Sequence, residues 1–291
     1  MEFVIYIALV LAGVALGSFA GATVWRLRAR QLKQDKKDGE HVNAREYKKL
    51  EPLMKAKVAT DRSRCLHCSY TLKWYDLIPV ISWLTLRGKC RNCRKPIGKF
   101  ELLIELGVAA FFVVSYVLWP FAFESNLEVA RFIVWLAAGV VLAILFAYDT
   151  KWFLLPDKAT IVLAVLGVIT VAIAATQSGN PVGTILGALG AVAILGGLYL
   201  ILNIASGGRW VGLGDAKLGA GLALLLIDWQ LALVALFLAN FIGCLIVIPL
   251  LLSKKLQRDS RIPFGPLLIV GTVVTQFIGG AIITAYFSTL I

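Results

Sequence analysis

Gly212-Leu213-Gly214-Asp215 opens a short hydrophobic segment and sets a carboxylate at the edge of a membrane. A charged residue inside a membrane helix costs about 2.5–3.5 kcal/mol at the bilayer centre on insertion scales, so such residues are generally enclosed in protein and functional. A second carboxylate, Asp149, ends another hydrophobic segment in Ala147-Tyr148-Asp149. Two carboxylates at one membrane face form the pair that an aspartic protease uses, one activating water while the other donates a proton. Glycine at 212 and 214 frees the backbone and lets a substrate strand come close. The plainer alternative is a Gly-rich turn whose Asp caps the helix that follows.

The rest of the chain supplies the membrane. Of its 291 residues 59% are hydrophobic, and the mean hydropathy is +0.82. An ordinary soluble domain is about 45–50% apolar. This composition predicts an all-α polytopic membrane protein with one long polar insert. Twenty of the 29 Lys and Arg lie between Arg26 and Lys99, and the net charge is +12. Charge so concentrated points to anionic lipid headgroups as a partner and away from nucleic acid.

Hydrophobic runs predict eight helices, at about 3–25, 101–120, 128–148, 158–176, 183–204, 215–227, 229–253 and 265–290. The run at 215–227 is short for a span, which needs about 20 residues. It reads as a half-helix or a tilted span inside the bundle. Glu2 precedes the first run and Arg26, Arg28 and Arg30 follow it, the reverse of a cleaved signal peptide. With the N-terminus outside, 28 of the 29 Lys and Arg fall in or beside the inner loops 26–100, 149–157, 205–214 and 254–263, and only Arg131 lies near an outer one. Asp149 and Asp215 then share the cytoplasmic face. The expected domains are a first transmembrane helix (1–26), a basic four-cysteine cytoplasmic domain (27–100) and a transmembrane core (101–291). Within the second, Gln31–Thr60 is highly charged, with a helix expected around Arg45–Lys57 or partly a linker.

Cys65-Leu66-His67-Cys68 is followed, after 21 residues, by Cys90-Arg91-Asn92-Cys93. Two C-x-x-C knuckles at this spacing predict a tetrahedral thiolate site for a structural Zn2+, Cys65, Cys68, Cys90 and Cys93 completing its shell without His67. A redox pair or another metal is the alternative. A reducing cytoplasm argues against disulfides. Cys244, alone in an apolar run, reads as a small core residue. Between the knuckles runs Trp74-Tyr75-Asp76-Leu77-Ile78-Pro79-Val80-Ile81-Ser82-Trp83, then Arg87-Gly88-Lys89. So many aromatics must pack on the zinc core, the membrane interface or a ligand.

Together these motifs resemble bacterial type IV prepilin peptidases, nearly end to end. Gly17-Ser18-Phe19 resembles the family's opening motif. The double knuckle with Trp-Tyr-Asp-x-Ile-Pro and Arg-Gly-Lys-Cys between its arms is highly specific. Asp149 with Leu155-Pro156-Asp157 is similar to the first aspartate motif, and Gly212-Leu213-Gly214-Asp215-Ala216-Lys217 to the second. Ile262-Pro263-Phe264-Gly265-Pro266 resembles the start of the last helix. The resemblance implies a catalytic pair, Asp149 and Asp215, supported by Gly212, Gly214, Lys217, Pro156 and Asp157. It implies cleavage of the basic leaders of prepilins and pseudopilins at the cytoplasmic face of the bacterial inner membrane. It further implies methylation of the new N-terminus with S-adenosylmethionine. Contacts to that cofactor are expected at Trp74, Tyr75, Trp83, Gly88 and Lys89. Three positions depart from the pattern: Gly21 and Ala22 stand where the family has Asn and then Val, and Arg28 where it has Pro. They lie in or near the domain linked to methyl transfer and leave the peptidase motifs untouched, so a peptidase without methylation is the alternative.

Other carboxylates compete. Asp157 follows Pro156 and reads as a cap or support, and Asp228 as a cap on the outer side. Glu101 and Glu105 share a face at i, i+4 beside the cysteine domain and are candidates for the methyl-transfer site. A cation-coupled transporter would carry its carboxylates near the midplane, on broken helices and with internal repeats. A zinc-ribbon scaffold would leave the Asp pair without a purpose. Helix ends suggest roles within the pair. Asp149 ends a helix and Asp215 begins one, so Asp215 is expected as the resting carboxylate and Asp149 as the protonated partner.

Overall fold

A computed structural model describes residues 2–54, 62–255 and 262–289. Its regular structure is helical; among the described residues the extended pairings are two isolated bridges, Arg64 with Thr71 and Lys89 with Pro96. The chain divides into two compact units, Met1–Val114 and Ser115–Ile291.

In the first unit α1 runs Glu2–Lys37. The sequence suggested a stop near Trp25. The helix continues because Arg, Leu, Gln and Lys after Trp25 are strong helix formers, and Gly39, at φ +80, is the first glycine beyond them. Helix α2, Ala44–Met54, is capped by Asn43, whose Oδ1 accepts from Arg45 N at 3.0 Å and Glu46 N at 3.1 Å. The expected helix around Arg45–Lys57 is thus present as far as Met54; residues 55–57 lie outside the described residues. Arg28 clasps Glu46 through two bonds of 3.0 and 2.7 Å, and Ala29, Leu32, Leu50 and Met54 form a small core between α1 and α2.

The two cysteine knuckles are built alike. Cys65 N donates to Tyr70 O and Cys90 N to Lys95 O, both at 2.9 Å, and each turn closes through a left-handed residue, Ser69 or Arg94. A 3-10 turn at Trp74–Leu77 and α3, Ile81–Thr85, fill the space between the arms. Helix α4, Phe100–Val117, packs against α1 at backbone contact. A Cβ on Gly13 would lie 2.6 Å from Ala109 Cα, and one on Gly17 2.6 Å from Glu105 Cα. Small residues four apart allow this approach where lipid offers no hydrophobic drive.

The second unit is a bundle. Helix α5, Asn126–Trp152, is capped by Ser125 with Glu128 in a capping box and stops at left-handed Phe153. Then follow α6, Asp157–Gln177, and α7, Pro181–Val192, which continues through a π turn at Ala193–Gly197 into α8, Leu198–Ser206. After α9, Leu213–Leu226, come α10, Trp229–Leu252, and α11, Gly265–Ser288. The residues of α11 are described to Thr289; the expected end at 290 lies outside them.

Among the described residues seven helices, α7 through α8 counted as one, are long and apolar enough to cross a membrane. The eighth, α9, has 14 residues, about 21 Å at helical rise against a hydrocarbon core of about 30 Å. It survives as a short helix because protein surrounds it: α6, α7, the π turn, α8, α10 and α11 all touch it. Glycines set the distance. Gly219 lies against the Leu195 carbonyl of the π turn, and Cβ atoms on Gly221 and Gly196 would come 3.0 Å from Leu163 and Ala220. The π turn, where the regular hydrogen-bond ladder shifts, is among the parts of the long helix that α9 packs on.

Candidate active site and metal centre

Three helix ends meet around the two aspartates. Asp149 is 5% exposed on the last turn of α5. Its Oδ2 accepts from the backbone N of Gly265, the first residue of α11, at 3.0 Å. Asp215 lies half-buried in the first turn of α9, its Oδ2 accepting from Gly212 N at 3.2 Å. Asp215 is thus not the N-cap residue, which is Gly212, but the third residue of the helix, reaching back to the N-cap N–H. Its helix also meets the start of α11, where Gly265 stands against both Asp149 and Leu218, one turn from Asp215.

Glycine and proline make this convergence fit. A Cβ on Gly265 would stand 2.8 Å from Asp149 Oδ2 and 3.3 Å from Leu218, one turn along α9 from Asp215. Gly214 seats on Leu155 of the α5–α6 loop, where a Cβ would come within 3.1 Å. Pro156 is the N-cap residue of α6, and Asp157, which follows it, binds Lys217 Nζ at 2.7 Å. The α5–α6 connection and the first residue of α6 are thus tied to the start of α9 by a packing contact and an ion pair. Sequence reasoning put Gly265 in a motif but gave it no role; the signal was a glycine placed just before Pro266 at a helix start.

In the sequence Asp149 stands only at the negative end of its own helix, α5. The N–H that Asp149 accepts belongs to the N-terminus of α11, so a positive helix end faces each carboxylate. Helix ends therefore do not separate the two roles.

The four knuckle cysteines come together. Their sulfurs lie within 4.8 Å of one another, with Cys65 to Cys93 at 3.9 Å and Cys68 to Cys90 at 4.0 Å. A tetrahedral ion with Zn–S bonds of about 2.3 Å requires sulfurs about 3.8 Å apart, so the cluster could hold a metal ion with little movement. Without an ion the thiols differ: burial pushes Cys65 up to about 12, while the Tyr70 N–H leads in bringing Cys68 down to about 7. Asn92 Nδ2, 3.7 Å from Cys68 Sγ, adds a second donor there. Cys244, expected as a core residue, is exposed on α10.

The aromatic stretch between the knuckles splits. Trp74 is 76% exposed and meets Tyr75 edge-on at 5.6 Å. Arg91 lies 4.9 Å over the Tyr75 ring and binds Asp76 at 2.7 Å. Trp83 turns inward, its indole N–H donating to Gly98 O at 2.7 Å. Gly88 makes this possible: its φ is +67, and a Cβ would stand 2.8 Å from the Trp83 ring. Lys89 pairs with Pro96.

Trp83 lines a cavity in the first unit together with Trp25, Arg64, Asp76, Glu101 and Glu105. Trp74, Tyr75, Gly88 and Lys89 are outside its lining. Glu105 is 7% exposed, its Oε2 accepting from Val80 N at 2.8 Å. Glu101 Oε1 accepts from the Trp25 indole at 2.9 Å. Two buried lining atoms, Glu101 Oε2 and Arg64 Nε, have no hydrogen-bond partner among the described residues. An acceptor and a donor left open in one aromatic-walled cavity suit a ligand carrying both charges, as S-adenosylmethionine does.

Comparison with known proteins covers both units. Residues 11–119 match the model of the bacterial peptidase A24 N-terminal domain, and residues 136–248 match the type IV leader peptidase family. The chain is 31% identical to the prepilin leader peptidase/N-methyltransferase of Stutzerimonas stutzeri, over 96% of this chain and 92% of the relative. The protein of the same name from Pseudomonas aeruginosa is 28% identical, over 95% and 91%. A type 4 prepilin-like proteins leader peptide-processing enzyme of Escherichia coli is 30% identical, over 91% of each. No solved structure matches significantly. On the strength of both domain matches and of relatives aligned along nearly its whole length, the chain belongs to the type IV leader peptidase family, as a multi-pass membrane protease.

Proposed function

We propose that this protein cuts the basic leader from prepilins and pseudopilins at the cytoplasmic face of the bacterial inner membrane and then methylates the new N-terminus. The observation that carries the peptidase is the convergence of three helix ends: Gly265 at the start of α11 gives its N–H to Asp149 at the end of α5 and packs on Leu218, one turn from Asp215 at the start of α9. One carboxylate takes a proton from water, and the water oxygen attacks the scissile carbonyl, polarised by the protonated partner. The peptide C–N bond then breaks, a proton passes to the leaving nitrogen, and the pair is left sharing one proton. A substrate whose apolar helix lies in the bilayer presents its leader junction at the level of the helix ends that carry the pair. Gly212, Gly214, Pro156 and the Lys217–Asp157 pair hold that geometry.

The four cysteines hold a structural Zn2+, supported by sulfur separations close to those of a tetrahedral site. In this scheme residues 27–100 form the zinc-bearing cytoplasmic domain, beside anionic lipids, and 101–291 the peptidase core. S-adenosylmethionine supplies the methyl group as an electrophile. The freed amine forms the new N–C bond, the electron pair of the broken S–C bond stays on sulfur, and the amine gives up a proton. An Asp215→Asn variant that inserts normally in the membrane should lose prepilin cleavage; cleavage at the wild-type rate would refute the peptidase assignment.

A further inference from the structure

The cavity of the first unit explains more than the aromatic stretch alone suggested. Its walls come from α1, α2, the cysteine knuckles and α4, with Trp25 and Trp83 among the lining residues. Its carboxylates are not equivalent. Asp76 is occupied on both oxygens, by Arg91 Nε at 2.7 Å and Lys73 N at 3.2 Å. Glu105 has its Oε2 bound to Val80 N and a second bond from Ser18. Only Glu101 keeps a buried oxygen, Oε2, without a partner among the described residues, while its other oxygen is fixed by Trp25. Among the cations in the lining, Arg64 has a buried Nε in the same state.

A buried polar group left unpaired costs about 1–3 kcal/mol, more when it is charged. Two such groups of opposite sign in one cavity ask for a ligand with complementary charges and a flat, apolar body. We propose that this cavity is the S-adenosylmethionine site, with Glu101 facing the sulfonium cation and Arg64 Nε donating to the amino-acid carboxylate. The adenine then lies against the indoles of Trp25 and Trp83, where stacking and cation–π contact are available. Gly88 acts from outside the cavity by leaving room for the Trp83 ring. This inference rests on the proposed methyl transfer and gives it a place.

The test uses the full-length, zinc-loaded protein in detergent. Tryptophan fluorescence is titrated with S-adenosylmethionine and with S-adenosylhomocysteine, its neutral thioether counterpart. The wild type should bind the sulfonium form more tightly. Glu101→Gln should weaken that form about tenfold and erase the preference, the size of one lost charged contact. Arg64→Gln should weaken both forms alike. Unchanged zinc content and prepilin cleavage report that each variant is folded. Equal affinities in the wild type and both variants, with methylation intact, would overturn this site while leaving methyl transfer standing. A wild type that neither binds nor methylates would overturn both.

Discussion

Gly265 gives its backbone N–H to the carboxylate of Asp149 at 3.0 Å, across 116 positions of sequence. The same glycine touches Leu218, one turn beyond Asp215. A residue without a side chain thus stands where the last helix closes on both aspartate-bearing helices.

Gly265→Ala places a methyl group where a Cβ lies 2.8 Å from Asp149 Oδ2. Either the carboxylate or the start of α11 must shift. A misplacement of this order costs about 100-fold in rate. We expect cleavage to fall by about that factor while expression, membrane insertion and zinc content stay normal. A prepilin cleavage assay at limiting enzyme reads it, and a wild-type rate would remove Gly265 from the site.

Lys217 and Asp157 are both well exposed, so their 2.7 Å pair adds little to stability, about 0–1 kcal/mol at most. Its effect is on the position of the α5–α6 loop. Lys217→Ala and Asp157→Ala should each slow cleavage by a similar factor, and the double variant should be no slower than either single one. Full additivity of the two losses would show that the residues act separately. The thermal midpoint should move little in all three.

For the metal, we expect one zinc ion per chain to co-purify and a strong chelator to remove it. Cys65→Ser and Cys90→Ser should abolish stoichiometric zinc and loosen the first unit, seen as faster proteolysis between residues 62 and 99. Methylation should suffer more than cleavage, because both aspartates lie in the second unit. Zinc-free protein with both activities intact would contradict the structural role.

Much of this architecture was legible in the sequence, because membranes enforce simple rules. Apolar runs of bilayer length gave the spans, and the placement of 28 of 29 Lys and Arg gives the direction proposed for them. The knuckle spacing gave the four-sulfur cluster. Less legible were features set by packing. The end of α1 was misjudged because apolarity stops at Trp25 while helix propensity continues to Lys37. The role of Gly265 depends on a contact 116 residues away, and no local pattern announces it. Glu101 and Glu105 share a helix face, yet only the fold tells them apart, since Val80 reaches one and Trp25 the other. Trp74 and Trp83 looked alike in sequence, and φ +67 at Gly88 is part of what turns Trp83 inward.

Topology offers a separate check. Single cysteines placed between 153 and 155, in the α5–α6 loop of a background without Cys244, should react with a membrane-impermeant thiol reagent only after the cytoplasmic side is opened. Single cysteines between 121 and 125 should react from outside. The opposite pattern would invert the protein and move both aspartates away from the proposed side of cleavage.

The most direct measurement is intact-mass spectrometry of a prepilin co-expressed with this protein. The wild type should yield a pilin shortened by its leader and heavier by one methyl group. Asp149→Asn and Asp215→Asn, each correctly inserted, should leave the precursor whole, while Glu101→Gln should give a shortened pilin that lacks the methyl group. A precursor cut at the wild-type rate by either aspartate variant would contradict the account.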